Sequence, residues 1–320
     1  MNIMVMFPTT GVSEVQKQQM LTFASENVKV VAVNGNFDDC QKLVKSLLVE
    51  EEFKKMLKEK YNLTLNTANS INWGRLLPQI VYHFHMYAEM VRQNNIELGG
   101  SIDLTVPSGN FGNMLSGLMA KRMGVCYRNM VVASNDNRIL TDFFETGVHD
   151  LTSRKLEQTI SPAIDILVSS NLERWISLNI GSSETKKYYD SLKTDRMFKI
   201  SDEQLSKVSP DWLKAGSCDQ NQCLDAIKPD LEATDYMNCP HTGVALAVAK
   251  RHLSKDVPML VLATAHYSKF RPAVEHLKED PEFPVIHKGV QSCLEKPVVQ
   301  KDCIDPELDI LKEILVNFVN

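Results

Sequence analysis

The hydrophobic residues in the first part of the chain follow an alternation of strand and helix patterns. Apolar, β-branched runs at Ile3–Phe7 and Val28–Val33 predict buried strands. A helix is expected between them, because Ser13 and Gln16 have the spacing of a capping box. From Phe37 to about Tyr61 a lysine- and glutamate-rich stretch predicts a second helix. Apolar strands that alternate with helices are typical of a parallel sheet covered by helices.

The same alternation resumes after a polar interval. The predicted elements are a helix at Leu76–Arg92, a strand at Ile102–Val106, a helix at Met114–Met123, a strand at Met130–Ala133, a helix at Asn137–Phe144 and a late strand at Met259–Ala263. We therefore predict an α/β protein with parallel sheets. A break near residue 95 suggests two regions, residues 1–95 and residues 96–320.

Composition and charge exclude several classes of protein. The 320 residues are 43% hydrophobic and 23% charged, with a formal net charge of -5 and no basic stripe, which argues against nucleic-acid binding. The longest apolar runs, such as Met259–Ala265, are too short to cross a bilayer, and the first residues lack the basic region of a signal peptide. Seven scattered cysteines show no metal-binding spacing. We expect a cytoplasmic protein without a bound metal.

The loop Val106–Met114 carries the most informative pattern in the chain. It reads Val-Pro-Ser-Gly-Asn-Phe-Gly-Asn-Met and joins an apolar strand to a helix. Backbone N–H groups converge in such a loop, and the start of the helix adds unsatisfied donors and a partial positive charge. The glycines are expected to provide close approach and unusual dihedral angles. The pattern indicates a phosphate-sized anion site, and a tight turn without a ligand is the alternative.

Two other segments can contribute polar groups to the same site. Asn69–Arg75 places three short polar side chains and an arginine at the start of a helix, where a simple capping role is the alternative. Thr264–Phe270 follows a predicted strand, at the end of the sheet where α/β proteins bind ligands. Taken alone, His266 is more typical of a structural histidine than of a catalyst. Cys239–Thr242, before an alanine-rich helix, is first of all a helix entry.

In combination and in this order, several stretches resemble threonine synthase, a fold-type II enzyme that depends on pyridoxal 5′-phosphate. The matching stretches are MVMFPTTGVSEVQKQQM, NSINWGRLLPQ, VPSGNFGNMLSG, SPAIDILVSSNLER, CPHTGVALA and TAHYSKF. They extend from residue 4 to about residue 270. The resemblance is greatest to the animal threonine-synthase-like branch.

The resemblance implies a role for each matched position. The residues expected to bind the cofactor phosphate are Gly109, Asn110, Phe111, Gly112 and Asn113. Thr264 is expected to bond the pyridine nitrogen, and a neutral hydroxyl there moderates the ring as an electron sink. The residues expected near the phosphate or carboxylate of the substrate are Asn69, Ser70, Asn72 and Arg75. The implied reaction is that of a phospho-lyase in threonine biosynthesis, with O-phosphohomoserine or a related phosphorylated amino acid as substrate.

The chain also departs from the family. The family's Schiff-base lysine lies in a Phe-Lys-Asp motif, and a Gly-Asp-Thr-Gly loop surrounds the substrate; neither motif occurs in these 320 residues. We therefore expect an N-terminally truncated chain without a catalytic lysine, inactive by itself, whose uncovered apolar surfaces could bind another chain. The alternative is a truncated isoform that acts as a ligand- or protein-binding module. Cys239 stands where relatives usually carry aspartate.

Overall fold

A computed structural model of the protein describes residues 1–23, 25–69, 72–278 and 286–320. Within these ranges the strands are β1 (Ile3–Pro8), β2 (Val28–Val33), β3 (Ile102–Pro107), β4 (Tyr127–Ser134), β5 (Val148–Asp150), β6 (Met197–Lys199), β7 (Leu213–Ser217), β8 (Met259–Val261) and β9 (Asp302–Ile304). The α-helices are α1 (Glu14–Leu21), α2 (Phe37–Val49), α3 (Glu51–Tyr61), α4 (Trp73–Arg92), α5 (Gly112–Arg122), α6 (Ile139–Thr146), α7 (Leu172–Ile180), α8 (Ser182–Thr194), α9 (Asp202–Val208), α10 (Gln220–Thr234), α11 (Pro240–Ala249), α12 (Arg271–Val274), α13 (Lys288–Leu294) and α14 (Leu308–Val319). Short 3₁₀ helices occur at Pro162–Ile164, Tyr267–Phe270 and Glu275–Leu277.

The chain divides into two compact units. The first comprises Met1–Thr67, Ser268–Arg271 and Asp280–Asn320, and the second comprises Ala68–Tyr267 and Pro272–Glu279. The division into residues 1–95 and 96–320 stays a prediction.

The first unit is built on a three-stranded parallel sheet in the order β1-β2-β9. The pairing of β1 with β2 extends from Ile3 opposite Val28 to Pro8 opposite Val33. Alternate residues of β2, among them Val31, pack into a core with residues of α2, α3 and α14. The capping box predicted at Ser13 is present, because the Ser13 hydroxyl and the Gln16 side chain bond each other's backbone N–H groups. Apolar β-branched strands and a capped helix thus form where the sequence predicts them.

The long helix predicted from Phe37 to about Tyr61 is two helices in the structure. The backbone of Glu50 is extended, at φ −79° and ψ 90°, and this interrupts the helical path between α2 and α3. Leu47 before the break and Leu57 after it are both buried in the core of the first unit. The break therefore lets both helices turn an apolar face toward the same sheet.

The second unit contains a four-stranded parallel sheet in the order β7-β4-β3-β8. Every residue of the central strand β3 is buried, as expected for a parallel strand with both neighbours and both faces covered. Ile102, Leu104 and Val106 share a large core with residues of α4, α5 and α6. Gly216 of β7 lies against Val248 of α11. The α/β architecture predicted from the sequence is confirmed.

Candidate functional site

The loop between β3 and α5 ends in a helix start with unsatisfied amide donors. The first hydrogen bond within α5 runs from the Leu115 N–H to the Phe111 carbonyl, at 2.8 Å. The N–H groups of Asn113 and Met114 therefore have no acceptor within the helix. They lie where the helix dipole carries its positive end. Anion binding at this loop stays a prediction.

The left-handed residue of the loop is Phe111, and this differs from the sequence-based expectation that a glycine takes that conformation. Phe111 has φ +63°, whereas Gly112 is the first residue of the helix. The ring of Phe111 is fully buried and stacks on Phe144 at 5.5 Å between centroids. Burial of a large aromatic ring contributes about 1.5–3 kcal/mol, which offsets the roughly 1–2 kcal/mol that the left-handed backbone costs. Asn110 supports the turn by accepting the Gly112 N–H at 2.9 Å.

Gly109 is required because another segment passes close to it. A Cβ atom at Gly109 would lie 2.8 Å from Ile164 Cα and 3.1 Å from Ile166 Cδ1. Next along the loop, the Asn110 carbonyl accepts both the backbone N–H of Asn171, at 3.1 Å, and its side-chain amide, at 3.0 Å. The glycine loop is thus packed against residues 164–171.

Two buried hydroxyls beside the loop lack a partner. Ser108 directly precedes Gly109. Ser169 lies two residues before Asn171, which donates to the Asn110 carbonyl. Both side chains are buried, and neither Oγ atom has a hydrogen-bond partner in the part of the chain that the structure describes. Unpaired buried hydroxyls cost free energy, so a further hydrogen-bond partner at either position would be stabilising.

Helix α4 fixes the first turn of α5. The Tyr82 hydroxyl donates to Asn113 Oδ1 at 2.8 Å. The next residue, His83, is buried between the Tyr127 hydroxyl at 2.9 Å and the Ser116 hydroxyl at 3.0 Å. Burial lowers the pKa of His83 to about 4, so the ring is neutral near pH 7. These contacts fix the orientation of the first turn of α5 and therefore of the amides at its start.

Thr264 lies beyond the end of β8. The strand ends at Val261, two residues earlier than predicted, although the Leu262 N–H still bonds the Thr105 carbonyl at 3.1 Å. Thr105 pairs with Val261 in parallel strands. Ser108 and Thr264 each lie three residues beyond this pair, so both are at the same end of the sheet. Thr264 is exposed. Its role toward a pyridine nitrogen stays a prediction.

Asn69, Asn72 and Arg75, three of the predicted substrate residues, lie around the start of α4, which begins at Trp73 and not at Leu76. Asn72 caps the helix by accepting the Gly74 N–H at 2.9 Å, and this cap explains the earlier start. The Asn69 carbonyl accepts the Asn72 N–H at 2.9 Å, and Arg75 is exposed. Ser70 lies outside the described residues. A substrate role for these residues stays a prediction.

Arg174 was not singled out from the sequence, although it belongs to the stretch SSNLER. Its guanidinium lies over the Trp73 ring at 5.2 Å and donates to Asn171 Oδ1 at 3.1 Å. Burial lowers the pKa of Arg174. Through Asn171, this arginine connects the start of α4 with the carbonyl of Asn110. The sequence around Arg174 is polar and contains no signal for a contact with an aromatic ring, so the contact with Trp73 is seen only in the structure.

A buried polar network was also missed. The carboxylate of Asp165 accepts the side-chain amides of Asn135 and Asn137 and the hydroxyl and backbone N–H of Thr159. Burial raises the pKa of Asp165. The network attaches residues 159–165 to the segment that follows β4, so it supports the turn that covers Gly109.

Among the residues described, no group of three histidine, cysteine or carboxylate side chains could hold a metal ion, and all seven cysteines are free thiols. The same residues include no helix that is long and apolar enough to span a bilayer.

Comparison with solved structures identifies the class. The structure of PLP-bound threonine synthase from Brucella melitensis matches 100% of this chain and 66% of its own, with a TM-score of 0.83 and 33% sequence identity. The parallel sheets, the glycine-asparagine loop and this match define a protein with the fold-type II architecture of PLP-dependent enzymes.

Sequence comparison identifies the family within that class. The family model "Threonine synthase, C-terminal" matches residues 242–314. Threonine synthase-like 1 of Macaca fascicularis is 43% identical over 274 residues, which are 85% of this chain and 37% of that protein. Threonine synthase of Schizosaccharomyces pombe is 32% identical over 98% of this chain and 65% of that protein. The chain belongs to the threonine synthase family and spans less than two thirds of the length of these relatives.

Proposed function

We propose that these 320 residues provide the phosphate- and ring-binding part of a PLP-dependent phospho-lyase. Its proposed substrate is O-phosphohomoserine or a related phosphorylated amino acid. The observation that carries this proposal is the loop from Ser108 to the first turn of α5, where the amides of Asn113 and Met114 have no acceptor within the helix and the buried Ser108 hydroxyl has no partner among the described residues. A phosphate dianion offers several acceptor oxygens, and such a loop offers matching donors.

The residues of the chain fit the cofactor as follows. The amides of Gly109, Asn110, Phe111 and Asn113 would bind the phosphate group, with Ser108 and Ser169 as further donors. Gly112 would contribute by its position, because its own amide already donates to Asn110 Oδ1. Thr264 would donate to or accept from the pyridine nitrogen, and a hydroxyl there leaves the ring less protonated than a carboxylate does. When bound, pyridoxal phosphate supplies an electron sink for the amino acid.

Substrate binding is assigned to the start of α4. Asn69, Ser70, Asn72 and Arg75 would face the phosphate or carboxylate of the substrate, because a planar guanidinium and neutral amides suit such groups. Asn72 has a second duty as helix cap, so its replacement would also affect the first turn of α4.

A second function is favoured by one feature of the sequence. The Phe-Lys-Asp motif that carries the family's Schiff-base lysine does not occur in these 320 residues. Lysine both anchors the cofactor and moves protons in this kind of chemistry. The 320-residue chain would then bind ligands without turning them over, as a sensor or as a partner of another chain. Phosphate release from O-phosphohomoserine by this chain would contradict the second function.

The binding site is tested with 4-deoxypyridoxine 5′-phosphate. This probe has no aldehyde, so it cannot react with surface lysines and reports only non-covalent binding. We compare the chain with N113D, which adds a negative charge at the helix start while Tyr82 can still donate to the same oxygen. The control is N317D, the same chemical change at an exposed position of α14.

The expected result is that N113D weakens binding by about tenfold or more in calorimetry, because a like charge then lies beside the phosphate. N317D should match the unmodified chain. Pyridoxine, which lacks the phosphate, should bind far more weakly than the phosphorylated probe. Equal affinity for N113D and the unmodified chain would contradict the assignment of the loop.

A further inference from the structure

Residues 161–166, here called the cover turn, form the surface against which Gly109 is packed. The turn contains the 3₁₀ helix Pro162–Ile164. Its backbone passes so close to Gly109 that a Cβ atom there would meet Ile164 Cα at 2.8 Å. The position of the cover turn therefore limits the position of the anion-binding loop. Contacts that hold the cover turn in place therefore also fix the position of the loop at Gly109.

One side of the cover turn is held by the Asp165 network. Asp165 accepts the amides of Asn135 and Asn137 at 2.6 Å and 3.1 Å, and both of these follow β4 directly. Thr159 adds its hydroxyl at 2.7 Å and its N–H at 2.8 Å. The carboxylate thus attaches the end of the turn to the sheet.

The other attachment is a histidine from a distant part of the sequence. The Ala163 N–H, in the middle of the cover turn, donates to His241 Nε2 at 3.1 Å. His241 is the second residue of α11 and is 2% exposed. A nitrogen that accepts an N–H carries no proton, so the proton of the neutral ring resides on Nδ1. That nitrogen lies 4.0 Å from the Sγ atom of Cys239, the residue directly before α11.

We propose that His241 is a positioning residue for the anion-binding loop: its Nε2 holds Ala163, the cover turn presses on Gly109, and the loop amides thereby keep the spacing that a phosphate needs. The inference rests on the proposed function in one respect, that the ligand of the loop is the cofactor phosphate. The attachment of the turn to His241 does not depend on the ligand.

The charge state of the ring agrees with this role. Burial lowers the pKa of His241 to about 4, so that the ring is neutral and able to accept at ordinary pH. A protonated ring would present an N–H to the N–H of Ala163, and the contact would be lost. The environment thus maintains the form that the cover turn requires.

Two amide substitutions separate positioning from general stability. In H241Q the side-chain oxygen can reach the place of Nε2, whereas in H241N it reaches only the place of Nδ1. Both replacements are polar, uncharged and lie in the first turn of α11. Thermal unfolding of both variants establishes that each one folds before any comparison is made.

The first measurement is hydrogen–deuterium exchange of peptides that cover residues 161–166, without ligand. We expect H241N to exchange about tenfold faster than the unmodified chain in this segment, and H241Q to exchange at nearly the original rate. Peptides from β4 should be unchanged in both. Equal exchange in the unmodified chain and H241N would overturn the attachment.

The second measurement is the affinity for 4-deoxypyridoxine 5′-phosphate. Loss of one buried hydrogen bond predicts about five- to tenfold weaker binding in H241N, and recovery in H241Q. Faster exchange in H241N with unchanged affinity would overturn the influence on the loop while leaving the proposed function intact. If even the unmodified chain fails to bind the probe, the proposed function is wrong, and so is the part of this inference that concerns the cofactor phosphate. The exchange experiment, which uses no ligand, would still decide whether His241 holds the cover turn.

Discussion

Gly109 and Ile164 approach each other so closely that the loop and the cover turn share one packing surface. A Cβ atom at Gly109 would lie 2.8 Å from the Cα atom of Ile164, and the contact is with backbone, which cannot rotate away. The residue has no unusual φ angle to explain its identity. Close approach is therefore the physical reason for glycine at this position.

This contact makes G109A a sharp test of the arrangement. One added methyl group must displace the cover turn or the loop, and overpacking of this kind costs about 1–3 kcal/mol. We expect the free energy of unfolding to fall by that amount and the affinity for 4-deoxypyridoxine 5′-phosphate to fall as well. The control is G74A, in the exposed first turn of α4, where the nearest atom is the flexible Asn72 side chain at 3.3 Å. A variant as stable as the unmodified chain would show that the cover turn is not fixed.

The sequence predicts the parts of the fold that depend on local patterns. Apolar β-branched runs mark β2 and β3, and the glycine-asparagine pattern marks the loop, because side-chain period and turn chemistry are encoded over a few residues. The break at Glu50 was not predicted, since the residues on both sides of it favour a helix and only packing against the sheet separates them.

The less local parts of the site could not be read in this way. Phe111 adopts a left-handed backbone because its ring is buried against Phe144, a residue 33 positions away in sequence. The hydrogen bond between Ala163 and His241 spans 78 positions. Neither residue pair has a pattern in the sequence that links its members, so only the fold reveals them. From the sequence, His241 is part of a helix entry and nothing more.

The N-cap of α11 provides a prediction about stability. Cys239 occupies the N-cap without any side-chain capping bond, although its backbone has the extended geometry of a cap. Aspartate has nearly the same volume and caps helices well, and here the Thr242 hydroxyl lies 3.3 Å from the Cys239 sulfur. The helix dipole and the Nδ1–H of His241 also favour a negative charge at this place. We expect C239D to raise the free energy of unfolding by about 1 kcal/mol, measured with urea.

The matched control for that experiment is C239S, which offers a capping oxygen without the charge. Its expected gain is smaller, because it cannot interact with the helix dipole as a charge does. Cys239 is 1% exposed, so a carboxylate at this position would be buried. A lower free energy of unfolding for C239D would mean that the free-energy cost of this burial exceeds the stabilisation from the capping bonds.

His83 predicts how stability depends on pH. Its pKa falls to about 4 in the folded chain because the ring is buried, from an ordinary value of 6.5. The unfolded chain therefore takes up a proton first as the pH falls. The stabilisation is complete above pH 6.5 and is lost progressively as the pH falls toward 4. We expect the free energy of unfolding to fall by on the order of 2 kcal/mol for this residue between pH 7 and pH 5.

Urea unfolding at pH 7 and at pH 5 checks this expectation. In H83Q the group that titrates is gone, so the difference between the two pH values should become smaller, even though the variant is less stable at both. The control is H85Q, two residues along the same helix and exposed to solvent, which should retain the full difference. His149 and His241 are also buried with a pKa lowered to about 4, so part of the dependence should persist in H83Q. An unchanged difference in H83Q would contradict the prediction, because it would mean that the pKa of His83 is the same in the folded and the unfolded chain.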